Sequence, residues 1–575
     1  MNCNLNWLWT RTITQQLISI GINYCCIGYG SRNTPLILSI ANESSYIKTY
    51  YHFDERGLAF HALGYAKASG NLVAIVVTSG SALANLYPAV MEAFEQEIPL
   101  LILTADRPSE LRSMGSNQTT DQVRIFSNHI VWQCDYPFPE SPKIINNMSH
   151  SFSYALSKLT YPVRGPVHIN LMFREPLEFS SNSSCSTEVV SNAPLYFPPE
   201  QVTTDLYHTL SKQISFDKPG IIVVGTMDCD KEMKAIIAFA EKLHWPILAD
   251  ITSNMRGHDS SNIIAYYDLL LDIPIEKELI PSYIIHFGGK LVSKRWLLWS
   301  EKLPPIPYLH VSNSSKNYNP IYRLTHRFYV KATDFCEKFL PFLGCSSPNY
   351  LNEWRSLSMQ IKKRINNFYT QKSRVNELYL PIFLSQLETS FAIFISNSMP
   401  VRDADMLFFP GVPVRIFANR GISGIDGNIA TAIGIATSLQ KPLIAILGDL
   451  ASLHDLNSLL QLQSKPIPMI FIIINNGGGG IFSFLPVVKV ISNEVLDKNF
   501  AGKHTFSFLE FSNALQLLYF SPNSIGELEE SILEAQKKTI PTIIEIKTKR
   551  EENYKLHRQF MLQMRMAITS TAIQR

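Results

Sequence analysis

Charge is scarce in this chain. Of 575 residues only 17% are Asp, Glu, Lys or Arg, and the formal net charge is +3. Such a balance speaks for neither a nucleic-acid surface nor a polybasic membrane patch. Paired cysteines are missing too. The eight cysteines form no C-x-x-C, and no His/Cys cluster has zinc spacing, so buried or incidental thiols in a reducing compartment are expected. No apolar run reaches the length of a membrane span. The first residues, Asn2 to Arg11, lack a basic n-region, a long apolar core and a small-residue cleavage site. A soluble, cytoplasmic protein follows as the expectation. The glycine fingerprint G-x-G-x-x-G is absent, which disfavours a nicotinamide-dependent oxidoreductase. No short-period repeat is visible.

Hydrophobic residues, by contrast, make up 46% of the chain, enough for large cores, and the length suggests roughly three or four domains. Strand-like runs alternate with helix-like stretches in three α/β blocks, which predicts parallel sheets covered on both faces. In the first block strands are predicted at 24–28, 72–77, 99–103 and 166–171, and helices at 57–68 and 82–94. The run Ser180 to Thr187 reads as a linker. Strands at 220–225, 246–250 and 283–288 mark the second block, and a polar helical stretch, Asn349 to Lys372, precedes the third. There strands are predicted at 392–395, 414–417, 443–447, 469–474 and 542–546. The domain boundaries are set at 1–179, 198–345 and 373–550. A polar, basic tail at 551–575 holds a helix around 560–566 and is assigned no function.

Two predicted strand ends carry chemistry. Gly448-Asp449-Leu450 closes the run Leu443 to Leu447, and Asn475-Asn476 closes the run Pro468 to Ile474, ahead of four glycines, Gly477 to Gly480. A carboxylate, a carboxamide and exposed glycine backbone form an oxygen-only ligand set, which suits Mg²⁺ or Ca²⁺ holding a diphosphate. In the first block, Glu55 opens a predicted helix, where a carboxylate also has a purely structural use against the helix dipole. Small residues follow successive strands there, at Thr78-Ser79-Gly80-Ser81 and Thr104-Ala105-Asp106-Arg107-Pro108. Such strand ends make a crevice where a ligand can sit.

Together these motifs resemble thiamine diphosphate (ThDP) enzymes. The resemblance sharpens with Gly30-Ser31-Arg32-Asn33-Thr34-Pro35, the His52 to Gly57 run, Ala105-Asp106-Arg107-Pro108, Asn117-Gln118, Ala418 to Gly427, Asp455-Leu456-Asn457 and Ile481 to Pro486. Taken in order, they resemble the 2-succinyl-5-enolpyruvyl-6-hydroxy-3-cyclohexene-1-carboxylate synthase family of menaquinone biosynthesis. That implies three doubly wound α/β domains and an enzyme, a transferase, that condenses 2-oxoglutarate with isochorismate and releases CO₂. It also implies a homodimer or homotetramer, because the family's glutamate and diphosphate site come from different subunits.

Residue roles follow from the resemblance. Glu55 would hydrogen-bond the cofactor's pyrimidine nitrogen. Asp449, Asn476 and the Gly478 carbonyl would ligate Mg²⁺, with Mn²⁺ as an alternative. Leu450, Ile481 and Ser398 would lie against ThDP, and Ile425 would be the apolar wedge beneath it. Arg402 and Arg420 would hold the 2-oxoglutarate carboxylate beside Ser398. Arg32, Arg107, Lys294 and Arg295 would receive isochorismate, with Ser31 and Gln118 in contact. Ile481, Phe482 and Leu485 would form an apolar wall that excludes water. Singly, each cation reads as a surface salt bridge worth little, but six at motif positions suit two dicarboxylate substrates. Four departures stand out: Tyr29, His454, Gly477 and Gly480 replace the family's Pro, Tyr, Asn and Gln. The rival readings are another ThDP 2-oxoacid decarboxylase or acetohydroxyacid-type synthase, and a silent ThDP-binding paralogue.

Overall fold

The computed structural model describes residues 4–179, 216–272, 277–344, 346–370, 374–387, 391–464, 467–538 and 540–573. The linker expected at 180–187 and the start of the second block near Pro198 lie outside them. The chain forms two compact units. One comprises Met1–Pro198, Asn419–Lys441 and Ala451–Ile467, and the other Pro199–Ala418, Pro442–Leu450 and Pro468–Arg575.

The first unit holds a six-stranded sheet of order β2-β1-β3-β4-β6-β5. Its strands are β1 (Tyr24–Gly28), β2 (Lys48–His52), β3 (Val73–Val77), β4 (Leu100–Asp106), β5 (Trp132–Tyr136) and β6 (Val167–Met172). Every pairing is parallel. Alternate residues point to opposite faces, so Val73, Ile75 and Val77 join one core and Ala74 and Val76 another. Burial on both faces explains why β3 is apolar throughout rather than alternating. Helix Glu55–Ser69 packs on helix Asn428–Leu439. The backbones touch where glycines face each other. A Cβ on Gly64 would lie 2.1 Å from the Thr431 carbonyl oxygen, and one on Gly434 would lie 2.1 Å from that of His61.

The second unit holds two sheets. One has the order β11-β10-β9-β7-β8, from β7 (Gly220–Val224), β8 (Ile247–Ala249), β9 (Tyr283–Phe287), β10 (Tyr308–Val311) and β11 (His326–Phe328). The other has the order β13-β12-β14-β15-β17-β16, from β12 (Ala392–Ile395), β13 (Ile416–Phe417), β14 (Leu443–Gly448), β15 (Met469–Asn475), β16 (Leu518–Phe520) and β17 (Thr542–Lys547). These sheets are parallel as well. Counted from its first strand, the last sheet repeats the strand order of the first unit's sheet. In each sheet the order reverses beside the first strand, which opens a crevice at the carboxyl ends.

Two helices of this unit flank the crevice of the last sheet or brace it from outside. Helix Met399–Leu407 is anchored by Arg256, which donates to Asp405 at 2.6 Å and to the Phe408 carbonyl at 2.9 Å. The expected tail is a helix, Arg550–Ile573, packed on helix Asn349–Thr370 with Phe560 and Met564 in the core. Among the described residues no helix is long and apolar enough to cross a membrane.

Candidate active site

In the second unit, β14 delivers Asp449 to the crevice beside β12, and β15 delivers Asn476 next to it. Asp449 is 3% exposed. Its Oδ1 accepts the Leu450 N–H at 2.7 Å. Its Oδ2 accepts those of Asn476 at 3.1 Å and Gly478 at 2.9 Å. His504 Nε2 stands 3.3 Å from the same oxygen. Burial raises the pKa of this carboxyl above 3.8, against the pull of those donors. Asn476 gives its Nδ2 to Glu377 at 3.1 Å, and its Oδ1 is buried with no hydrogen-bond partner. An acceptor in that state is what a cation ligand looks like before its ion. Gly478 has φ +141°, and a Cβ there would lie 2.6 Å from the Ala501 carbonyl oxygen, so only glycine brings this backbone in. Among the described residues no group of three His, Cys, Asp or Glu could hold a metal. The donors suit a hard cation that brings other oxygens with it, as a diphosphate does.

Ser398 follows β12 and opens helix Met399–Leu407 at φ 75°, ψ −130°, a costly conformation for serine. Arg402 lies exposed on the first turns of that helix. Ile481 and Phe482 are half-buried and Leu485 is exposed, in the short helical stretches after the glycines.

In the first unit, β1 leads into Gly30-Ser31-Arg32 and β3 into Thr78-Ser79-Gly80. The two turns touch: a Cβ on Gly30 would lie 2.3 Å from Thr78 Cβ. Arg32 is buried and donates to the Phe173 carbonyl at 3.1 Å and to the exposed Glu175 at 3.2 Å. Arg107 donates to Ser79 Oγ and to the Gln118 carbonyl. Its pKa is lowered by burial and by the neighbouring Arg32. Two guanidinium groups this close suit an anion between them. Gln118, exposed on its loop, has φ 53°. Glu55 is the first residue of its helix, beside Asn85 Nδ2 at 3.4 Å, with Asp54 as N-cap. Arg420 and Ile425 lie on the loop before helix Asn428–Leu439. That loop is fastened by buried Glu92, which accepts the N–H groups of Gly421 at 2.8 Å and Ile422 at 2.7 Å. Ile425 is 37% exposed.

Three family models match this chain. "Thiamine pyrophosphate enzyme, N-terminal TPP binding domain" matches residues 9–125, "Middle domain of thiamine pyrophosphate" matches 200–394, and "Thiamine pyrophosphate enzyme, C-terminal TPP binding domain" matches 406–546. Thiamine pyrophosphate is ThDP. The 2-succinyl-5-enolpyruvyl-6-hydroxy-3-cyclohexene-1-carboxylate synthase of Chlorobium phaeobacteroides is 34% identical over 584 aligned residues, covering 99% of each chain. The chain belongs to that synthase family. The synthases of Rubrobacter xylanophilus (35% identity, 97% of this chain and 98% of that one) and Staphylococcus aureus (34%, 95% of each) agree. Benzoylformate decarboxylase from Polynucleobacter necessarius, at 14% identity, shares the fold with a TM-score of 0.69 over 96% of this chain and 99% of that one.

Lys294 is exposed at the start of helix Lys294–Glu301. Arg295 is tied to Asp268 and Asp272 and reaches Met561 Sδ at 3.5 Å, so it braces that helix. Ser31, Arg32, Glu55, Arg107, Gln118, Arg420 and Ile425 belong to the first unit, and Lys294, Arg295, Ser398, Arg402, Asp449, Leu450, Asn476, Gly478, Ile481, Phe482 and Leu485 to the second. Of the departures, Tyr29 is exposed and stacks on Tyr51 at 6.0 Å. His454 accepts Arg56 through its carbonyl at 2.7 Å and meets it again through Nδ1 at 3.1 Å. Gly477 has φ +73°. A Cβ on Gly480 would lie 2.8 Å from Asn476 Nδ2. Sequence reasoning missed Glu377, His504 and Glu92. Nothing in their neighbours in sequence marks them, because each meets its partner only through the fold.

Proposed function

We propose that this protein condenses 2-oxoglutarate with isochorismate in menaquinone or phylloquinone biosynthesis, using ThDP and Mg²⁺ (or Mn²⁺), with loss of CO₂. When bound, ThDP supplies the carbon nucleophile and the electron sink for decarboxylation. The observation that carries the reading is the cluster of Asp449, Asn476 and Gly478, joined by the Gly478 N–H on Asp449, with its buried, unpartnered carboxamide oxygen. These three hold the cation, and Leu450 and Ile481 line the cofactor. Glu55 hydrogen-bonds the pyrimidine nitrogen, and Ile425 supports the cofactor from below. Arg402 and Arg420, with Ser398, bind the carboxylate of 2-oxoglutarate. Arg32, Arg107 and Lys294 take the carboxylates of isochorismate beside Ser31 and Gln118, with Arg295 behind Lys294. Phe482 and Leu485 would keep water from the reacting carbon. A second copy of the chain completes the site, in a homodimer or homotetramer located in the cytoplasm. The domain limits 1–179, 198–345 and 373–550 belong to the same proposal.

The test is consumption of 2-oxoglutarate and release of CO₂ by purified protein with ThDP and Mg²⁺. Consumption is expected to be fast only with isochorismate present. Glu55→Gln is expected to cut turnover by about 100-fold or more while leaving the melting temperature unchanged. A Glu55→Gln rate near wild type, or indifference to isochorismate, contradicts the reading.

A further inference from the structure

Glu377 is a carboxylate 2% exposed that no cation neutralises at salt-bridge distance among the described residues. It is surrounded by donors instead. Oε1 accepts Asn476 Nδ2 at 3.1 Å and Thr548 Oγ at 2.7 Å, and Oε2 accepts Asn553 Nδ2 at 2.9 Å. Thr548 follows β17. Asn553 is in the first turn of the C-terminal helix Arg550–Ile573. The same helix reaches Asp403, next to Arg402, through His557 Nε2 at 2.9 Å.

The geometry points to Glu377 as a positioning residue for the divalent cation: its carboxylate takes the Asn476 amide Nδ2–H, so that Oδ1 faces the ion. A carboxylate only accepts, so it selects one of the two faces of a carboxamide. Without it, Asn476 can rotate and offer its NH₂ group to the cation. Asn476 Oδ1 is the atom left buried and unpaired by this arrangement. Gly480, whose Cβ would crowd Nδ2 at 2.8 Å, keeps the approach open. Asn553 fixes the other carboxylate oxygen, and through it the C-terminal helix supports the cation site from behind. Partners of this kind typically change metal affinity by about 10- to 100-fold. The inference rests on the proposed cation site of Asp449, Asn476 and Gly478.

The experiment measures Mn²⁺ affinity by electron paramagnetic resonance on the full-length protein with saturating ThDP, together with melting temperatures of the metal-free form. Glu377→Leu, which keeps the bulk and removes both acceptors, is expected to raise the Mn²⁺ dissociation constant about tenfold or more at temperatures where the variant is folded. Unchanged affinity, with or without a lower melting temperature, overturns the inference and leaves Glu377 a structural residue. Should Glu377→Leu not fold, Thr548→Val carries the test: a rise of about threefold supports the inference, and unchanged affinity overturns it. Asn476→Ala separates the two readings. If it too leaves Mn²⁺ affinity unchanged, the cation site itself is wrong. If it abolishes binding while the Glu377 and Thr548 variants bind normally, only the positioning role fails.

Discussion

Glu92 shows how much one side chain can carry. It is buried, accepts two backbone N–H groups beyond Arg420, and has Lys67 Nζ at 3.9 Å. Burial lowers the Lys67 pKa to about 8, while Glu92 opposes the shift. Glu92→Ala leaves two amides without their acceptor and removes the carboxylate beside Lys67, whose Nζ keeps Asn419 Oδ1 at 2.6 Å. Breaking a buried pair of this kind costs about 3–5 kcal/mol. We expect a loss of that order in chemical denaturation, and a higher KM for 2-oxoglutarate because the Arg420 loop loses its clasp. Glu92→Gln should recover part of both, since its carbonyl still accepts one amide. At this scale the placement of Asp449 and Asn476 side by side is legible in the sequence, because each directly follows an apolar strand. Glu92 and Glu377 are not, because a buried carboxylate that accepts hydrogen bonds has no local pattern. The burden on Arg295 is equally hidden: Asp268 and Asp272 lie more than twenty residues before it in sequence.

At the scale of elements, the helix pair Glu55–Ser69 and Asn428–Leu439 is held by backbone contact at Gly64 and Gly434. Gly64→Val would drive methyl groups into the Thr431 carbonyl. Overpacking of this sort costs about 1–3 kcal/mol, and here the helix that begins with Glu55 must tilt to relieve it. The expected result is a lower melting temperature together with weaker ThDP binding. Loss of stability with unaltered ThDP affinity would separate the helix pair from the site. Long apolar strands are legible. The predicted strands at 24–28 and 392–395 coincide with β1 and β12, and most others agree to within two residues. The missed strands β2, β5, β10, β11 and β16 lie next to or at sheet edges, where Lys48, Asp135, His326 and Arg327 break the apolar run. The sequence pattern predicts one helix over 82–94, but Pro88 and the turn at Leu86 divide it into Ala82–Asn85 and Tyr87–Glu95. The tail reads as polar because its buried residues, Phe560 and Met564, are spaced four apart in a charged sequence.

For the whole molecule, buried titratable groups set the response to acid, and three histidines among them work against stability. Burial lowers His52 and His168 to about 4 and, with help from His310, lowers His286 to about 3. Each folded pKa lies below the ordinary 6.5, so the unfolded chain binds more protons and stability falls as pH drops from about 6.5 towards 4. Asp455 works the other way. Burial raises it to about 6, so the folded form gains as pH falls from 6 to 3.8. Asp250, Glu377, Asp405 and Asp449 are raised by burial too, so the histidine contribution shows as a difference: between pH 7 and 5 the melting temperature of His286→Gln is expected to fall less, or rise more, than that of the parent protein. The same profile in both proteins would mean that the His286 imidazole is solvated. The parallel α/β class is legible in the chain, whereas the shared strand order of the first and last sheets is not, since topology can recur without any repeated motif. The composition of the first unit has a further consequence for biosynthesis. Helix Glu55–Ser69 is translated early, but its packing partner begins at Asn428. At about 5–20 residues per second, the ribosome needs roughly 20–70 seconds to bridge that gap. Throughout that interval the nascent chain displays an apolar, glycine-notched helix face that has no mate, a natural client for chaperones until the second half of the protein emerges.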